Sequence, residues 1–154
     1  MGHLKILIDN QQKKEISTDT IRQKTKQILN ALGYDTHEIS IVITDNAQIQ
    51  QLNKTYRKVD KPTNVLAFPM QEGKFADITP GLLGDIVISC EKAQQEADSA
   101  NISIDERMSQ LLIHGILHLV GFDHETSPGD ARNMENKSLA LLRKIEPNKD
   151  LNVF

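Results

Sequence analysis

The spacing of apolar residues along the chain indicates an alternation of strands and helices. Alternating or short unbroken apolar runs predict four short strands, at positions 4–8, 39–43, 65–68 and 85–88. Apolar residues three and four apart predict helices, whose ends are marked by capping residues and by glycine or proline, within positions 17–33, 45–57, 89–97, 103–121 and 127–147. The pattern therefore predicts an α+β fold, a small mixed sheet covered by helices.

The helix that follows Ser103 is predicted to be the buried centre of this fold. Ser103 and Glu106 form a capping-box sequence at its start, and apolar residues occupy nearly every side of it up to Gly121. It carries His114 and His118, which lie four residues apart and so face the same way, one turn above the other.

A second helix places a cluster of cations at its end. Thr44 or Asp45 is expected to cap it, and its inner face is predicted to hold Ile49, Leu52 and Tyr56. Arg57 then ends the helix, just before a turn at Lys61-Pro62-Thr63. Further on, about fourteen residues with Gly73, Pro80 and Gly81 separate two strands, a length that suits either a lid or a loose hairpin loop.

Composition favours a small enzyme of a reducing compartment. With 154 residues, 38% of them hydrophobic, the chain suits a single domain, residues 1–154. Its one cysteine, Cys90, excludes an intrachain disulfide and is expected to be a core residue rather than a ligand. No apolar stretch is long enough to span a bilayer and no signal peptide is recognised, so a cytoplasmic protein is expected.

The overall charge of −3 does not suggest a nucleic-acid partner, but its distribution does. Positions 54–61 contain one acid, Asp60, and four cations, Lys54, Arg57, Lys58 and Lys61. Such a cluster suits a phosphodiester substrate, although a solvated helix end has the same composition.

The strongest functional signal is the segment from His114 to His124. A helix-ending Gly121 lets the chain fold back, so that His124 can join His114 and His118 around one metal ion. Three protein ligands leave a tetrahedral position open, as in catalytic zinc sites. Nickel, cobalt and copper suit the same ligands. The spacing matches the metzincin peptidase signature, except that Gly115 replaces the glutamate that activates water there.

Three segments of the chain resemble the YbeY family of bacterial metal-dependent endoribonucleases. Residues 114–124, H-G-I-L-H-L-V-G-F-D-H, resemble its signature H-G-x-L-H-L-x-G-Y-D-H. Residues 56–69 resemble Y-R-x-x-D-x-P-T-D-V-L-S-F-P, and residues 83–89 match L-G-D-I-V-I-S. The resemblance extends over about positions 40–145, with departures at Asn64, Ala67 and Phe122, where the family has aspartate, serine and tyrosine.

The resemblance implies a four-stranded sheet and a single-strand-specific endoribonuclease acting in 16S rRNA 3′-end maturation and ribosome quality control. It implies RNA, the small ribosomal subunit and its assembly factors as partners, and zinc bound by His114, His118 and His124. Arg57 would engage phosphate, and His114 and Asp123 would also act in catalysis. Asp123 can orient an imidazole or accept a proton, or simply cap the returning loop.

Other assignments remain open at this point. Asp85 suits a residue supporting a ligand but also an ordinary strand carboxylate, and Met134 suits a floor under the metal but better a core position. His3 and His37 have no partners at ligand spacing. The alternative functions are a peptidase or other small-substrate hydrolase, and a non-catalytic ribosome-assembly factor with a structural metal.

Overall fold

The computed structural model describes residues 4–70, 81–122 and 127–146. These residues form four strands and five helices, in the order β1 (Lys5–Asn10), α1 (Thr18–Leu32), β2 (Glu38–Thr44), α2 (Asn46–Arg57), β3 (Val65–Pro69), β4 (Leu82–Ser89), α3 (Cys90–Ala100), α4 (Ile104–Leu119) and α5 (Pro128–Ile145).

The strands form one mixed sheet in the order β1-β2-β4-β3. β1, β2 and β4 are parallel, and β3 pairs with β4 in the antiparallel direction, from Val65 opposite Ile88 to Pro69 opposite Gly84. β3 is therefore an edge strand. The α+β class and the four-stranded mixed sheet predicted from the sequence are confirmed.

The two faces of the sheet pack against different helices. On one face, Ile86 and Ile88 of β4 join the main core with residues of α1, α4 and α5. On the other, Val87 of β4 and Leu66 of β3 pack on Ile49 of α2. Side chains alternate between faces along a strand, so α2 and α4 lie on opposite sides of the β3–β4 pair.

α4 is the central helix that the pattern predicted. Twelve of its sixteen residues are buried, including polar ones near its start. Such burial is possible because α3, α5 and the sheet all pack on it. Neither α4 nor any other helix in the described parts of the chain is long and apolar enough to cross a membrane.

The predicted caps are confirmed, whereas one predicted core position is wrong. Ser17, Asp45, Ser89 and Ser103 each accept a hydrogen bond from a backbone N–H in the first turn of their helix. Tyr56, assigned to the inner face of α2, is 65% exposed. It lies in the last turn, where its ring meets Phe68 at the edge of the sheet. The central part of the candidate lid, residues 71–80, lies outside the described residues.

Candidate metal centre

His114 and His118 form a two-nitrogen clamp on one side of α4. Their Nε2 atoms are 3.2 Å apart, and their ring centroids are 4.6 Å apart. Two nitrogens bound to one tetrahedral zinc, each about 2.0–2.1 Å from the ion, would be separated by about 3.3 Å. Both side chains are half-buried, so the clamp is accessible from one side. The separation of the two nitrogens is therefore close to that required by one tetrahedral ion.

α4 ends just after this clamp. Gly121 has the left-handed φ of 101° that the sequence predicts, and its N–H bonds to the His118 carbonyl at 3.2 Å. The Phe122 N–H bonds to the Leu117 carbonyl at 2.9 Å, which completes a Schellman motif. The helix thus ends within four residues of His118.

The third ligand and the candidate proton acceptor, His124 and Asp123, lie outside the described residues. Within residues 4–70, 81–122 and 127–146, no group of three potential ligands is found. The two histidines of α4 are the part of the predicted site that the structure describes. The roles of His124 and Asp123 stay predictions.

Gly115, which replaces the peptidase base, faces the sheet rather than the clamp. A Cβ placed on it would lie 3.1 Å from two carbon atoms of Ile86, closer than ordinary van der Waals contact. A larger side chain here would have to displace a fully buried isoleucine. The glycine therefore allows close packing of α4 on β4, a reason for its presence that the motif alone does not reveal.

The helices that carry Arg57 and the histidine clamp, α2 and α4, end beside the same end of the edge strand, on opposite faces of the sheet. On the α2 side, Tyr56 contacts Phe68 with ring centroids 5.4 Å apart. On the α4 side, Leu119 lies 3.0 Å from where a Cβ of Gly84 would be, and Gly84 pairs with Pro69. α2 and α4 thus both end beside the last residues of β3.

The Arg57 side chain is available for a ligand. It is exposed at the end of α2, and its guanidinium makes no hydrogen bond or ion pair with the part of the chain that the structure describes. A cation at a helix C-terminus is also favourable to the helix dipole, so this position alone does not distinguish a phosphate-binding role from a structural one.

The remaining candidates take structural positions. Asp85 is opposite Phe68 in the β3–β4 pair and so belongs to the face turned away from α4. Met134 is 3% exposed in the main core. Burial raises the pKa of the Cys90 thiol against an opposing effect of Lys14, which favours the protonated form over the thiolate that binds metals.

A polar chain of contacts behind the clamp was not predicted from the sequence. The Glu96 carboxylate of α3 accepts hydrogen bonds from Arg107 Nε at 3.1 Å and Nη2 at 3.0 Å, and from Asn64 Nδ2 at 3.2 Å. Arg107 Nη1 donates to Gln110 at 2.5 Å, one turn before His114. Asn64, where the family has aspartate, donates its hydrogen bond to Glu96 through its amide nitrogen, which an ionised aspartate could not do.

Comparison with known proteins agrees with this arrangement. The family model described as Endoribonuclease YbeY matches residues 7–146. The protein named Endoribonuclease YbeY from Geobacter metallireducens is 41% identical over 145 residues, 93% of this chain and 97% of its own length. That from Aquifex aeolicus is 42% identical over 135 residues, 86% of this chain and 88% of its own.

The fold is also found in a solved structure. The solution structure of a Thermotoga maritima protein matches with a TM-score of 0.64, covering 92% of this chain and 88% of that one at 22% identity. It supports the fold alone, whereas the family model covers nearly the whole chain, including both histidines of the clamp and Arg57. The chain belongs to the YbeY family of endoribonucleases.

Proposed function

We propose that this protein is a single-strand-specific endoribonuclease whose metal, zinc in the first instance, is held by His114, His118 and His124. The observation that carries the proposal is the pair of Nε2 atoms 3.2 Å apart on α4, a helix that ends at Gly121 shortly after them. Membership of an endoribonuclease family supplies the substrate class. The family resemblance further suggests 16S rRNA 3′-end maturation in the cytoplasm, on the small subunit and with its assembly factors.

The chemistry divides between the metal and the side chains around it. His114, His118 and His124 would hold the divalent ion as neutral imidazoles, and the ion would supply polarisation of a phosphoryl oxygen and a lowered pKa, toward about 7, for a water bound to it. Arg57 presents a planar guanidinium that matches two phosphate oxygens and stabilises the charge that develops on them. Asp123 is proposed to orient an imidazole or to accept a proton.

Peptide hydrolysis is the less favoured use of such a site. The metzincin mechanism needs a carboxylate base at the position of Gly115, where this chain has none and where a Cβ would press on Ile86 at 3.1 Å. A structural metal in a non-catalytic assembly factor is a further alternative, but a half-buried, accessible histidine pair suits an open site better than a closed one.

An RNA cleavage assay with metal-stripped and zinc-reloaded protein tests the proposal. We expect the reloaded protein to cut single-stranded RNA, the stripped protein to be inactive, and neither to hydrolyse casein. Product ends identify the nucleophile, since a 2′,3′-cyclic phosphate indicates the 2′-hydroxyl and a 3′-hydroxyl with a 5′-phosphate indicates water. Chelator-sensitive casein hydrolysis without RNA cleavage would replace the proposal by the peptidase alternative.

A further inference from the structure

Tyr56 is an exposed aromatic side chain on a side of α2 that is otherwise buried. It is 65% exposed, although it lies seven residues after the fully buried Ile49, on the same side of α2. Its ring meets Phe68 in a T-shaped contact with an interplanar angle of 68°, and most of the side chain remains in contact with water. A tyrosine in this position offers an aromatic surface to a ligand.

The turn after Tyr56 carries positive charge that is mostly unneutralised. Asp60 is its only acid, and it already pairs with Lys54 at 3.9 Å and accepts a hydrogen bond from Gln50. The side chains of Arg57, Lys58 and Lys61 are exposed and form no ion pair within the described ranges. An anionic ligand is therefore favoured beside the ring.

The same turn is held in one shape by a buried amide. Asn53 is 6% exposed, and its side-chain Nδ2 donates to the backbone carbonyl of Lys61 at 2.9 Å. Its backbone carbonyl accepts a hydrogen bond from the backbone N–H of Lys58. Lys58 has a left-handed φ of 62°. The cations are thus displayed on an ordered backbone, which lowers the entropy cost of binding a ligand there.

The position of Tyr56 relates this surface to the metal centre. Phe68, which supports the ring, lies one residue before Pro69 on the edge strand, and Pro69 pairs with Gly84, over which the end of α4 packs. Tyr56 and Leu119, the last residue of α4, therefore flank the same end of β3, and Leu119 directly follows His118 in the chain. A single polyanionic chain passing over this edge would meet Tyr56 and the end of α4.

We propose that Tyr56 is a stacking platform for one base of the single-stranded RNA substrate, beside the nucleotides held at the histidine clamp. The inference rests on the proposed function, because it assigns the substrate to RNA. An aromatic ring stacks on any base, and exposed rings interleaved with cations are the usual means of binding single strands without sequence preference. Arg57, Lys58 and Lys61 would contact the adjoining phosphates.

Tyrosine fluorescence provides a direct test, since the chain has two tyrosines and no tryptophan. In the Tyr34→Phe variant, Tyr56 is the only emitter. We expect a single-stranded 2′-O-methyl ribonucleotide oligomer, its length checked before and after the titration, to quench this emission saturably. An oligomer of the same length with abasic sugars should bind more weakly and leave the emission unchanged. Saturable binding of the base-containing oligomer without quenching would overturn the inference, as would no binding at all.

Affinity measured by anisotropy of a labelled oligomer gives a second readout. Tyr56→Leu keeps an apolar contact for Phe68 but removes the ring, and should weaken binding about 5- to 150-fold, the range for loss of one base-stacking aromatic. Tyr56→Phe should bind as wild type. Leu7→Ala is the matched control, because Leu7 is 48% exposed on β1, at the far edge of the sheet, and should bind unchanged.

The outcomes separate this inference from the proposed function. Tyr56→Leu binding within twofold of wild type, with its fold confirmed by circular dichroism, would overturn the platform even if zinc-loaded wild type cuts RNA. Quenching and the affinity loss together, in a protein that cuts no RNA, would retain the platform and contradict the nuclease assignment. Neither measurement depends on catalytic turnover.

Discussion

At the scale of single residues, Arg57 is the side chain whose structural and functional interpretations differ most. If its guanidinium stabilises charge on the phosphoryl oxygens, Arg57→Ala should lower RNA cleavage roughly 10²- to 10³-fold at unchanged metal content. Arg57→Lys keeps the charge but not the planar fork, so it should restore binding more than rate. Single-turnover cleavage with substrate titration separates the two effects.

Arg143 is the matched control for this experiment. It is likewise an exposed arginine in the last turn of a helix, α5, with the same favourable relation to a helix dipole. Arg143→Ala should leave cleavage unchanged. If Arg57→Ala cleaves RNA at a rate within about threefold of wild type, equal to that of the control, then Arg57 has no catalytic role and is only a favourable charge at the end of a helix.

Gly115 gives a residue-scale prediction about packing. Gly115→Glu forces a Cβ to within 3.1 Å of Ile86 and buries a carboxylate in the main core. We expect it to lower the free energy of unfolding by at least about 2 kcal/mol, measured by urea denaturation, and to create no casein hydrolysis. In contrast, Gly129→Glu, in the exposed first turn of α5, should not lower it, because glutamate is a better helix residue than glycine and its charge is favourable at a helix N-terminus. Equal stability of both variants would show that the close approach of α4 to the sheet is unimportant.

At the scale of elements, an ion pair between Arg107 of α4 and Glu96 of α3 helps to hold the histidine helix in place. The Arg107 and Glu96 side chains are 11% and 29% exposed, with Nη2 and Oε1 3.0 Å apart. Glu96→Ala should lower the free energy of unfolding by at least about 2 kcal/mol. The loss should stay below the roughly 3–5 kcal/mol expected for a fully buried pair, because Glu96 keeps some contact with water.

Lys5 and Glu38 provide the control for this pair. Their charged atoms are 3.6 Å apart, with side chains 65% and 34% exposed, so Lys5→Ala should cost no more than about 1 kcal/mol. Urea denaturation at matched ionic strength measures both variants. A Glu96→Ala protein as stable as Lys5→Ala would mean that the pair does not hold α4.

Helical periodicity predicted these elements better than it predicted their surfaces. The apolar pattern placed α4 correctly as the buried helix, because a helix apolar on nearly all sides has to be covered on nearly all sides. The same reasoning placed Tyr56 in the core and was wrong. Spacing identifies a face of a helix, whereas exposure depends on how far the layer packed on that face extends, and Tyr56, beside the edge strand, is 65% exposed.

At the scale of the whole molecule, strand pairing brings distant segments together. Local helical geometry alone predicted that His114 and His118 face the same way, and their Nε2 atoms are 3.2 Å apart, while the metal they would hold stays a prediction. The arrival of the ends of α2 and α4 beside the same strand depends on β3 pairing antiparallel with β4, a tertiary contact that helical spacing does not predict. The Glu96, Arg107 and Asn64 contacts, between residues with no periodic pattern, left no signal in the sequence.

The metal content of purified protein tests the central claim most directly. Wild type, and a His37→Ala control that removes a histidine outside the predicted ligand set, should each carry about one divalent transition metal ion per chain by inductively coupled plasma mass spectrometry. His118→Ala should carry almost none, because one nitrogen of the clamp is gone, and His124→Ala should also be depleted. A full metal complement in His118→Ala, with its fold intact, would contradict the assignment of the metal to α4.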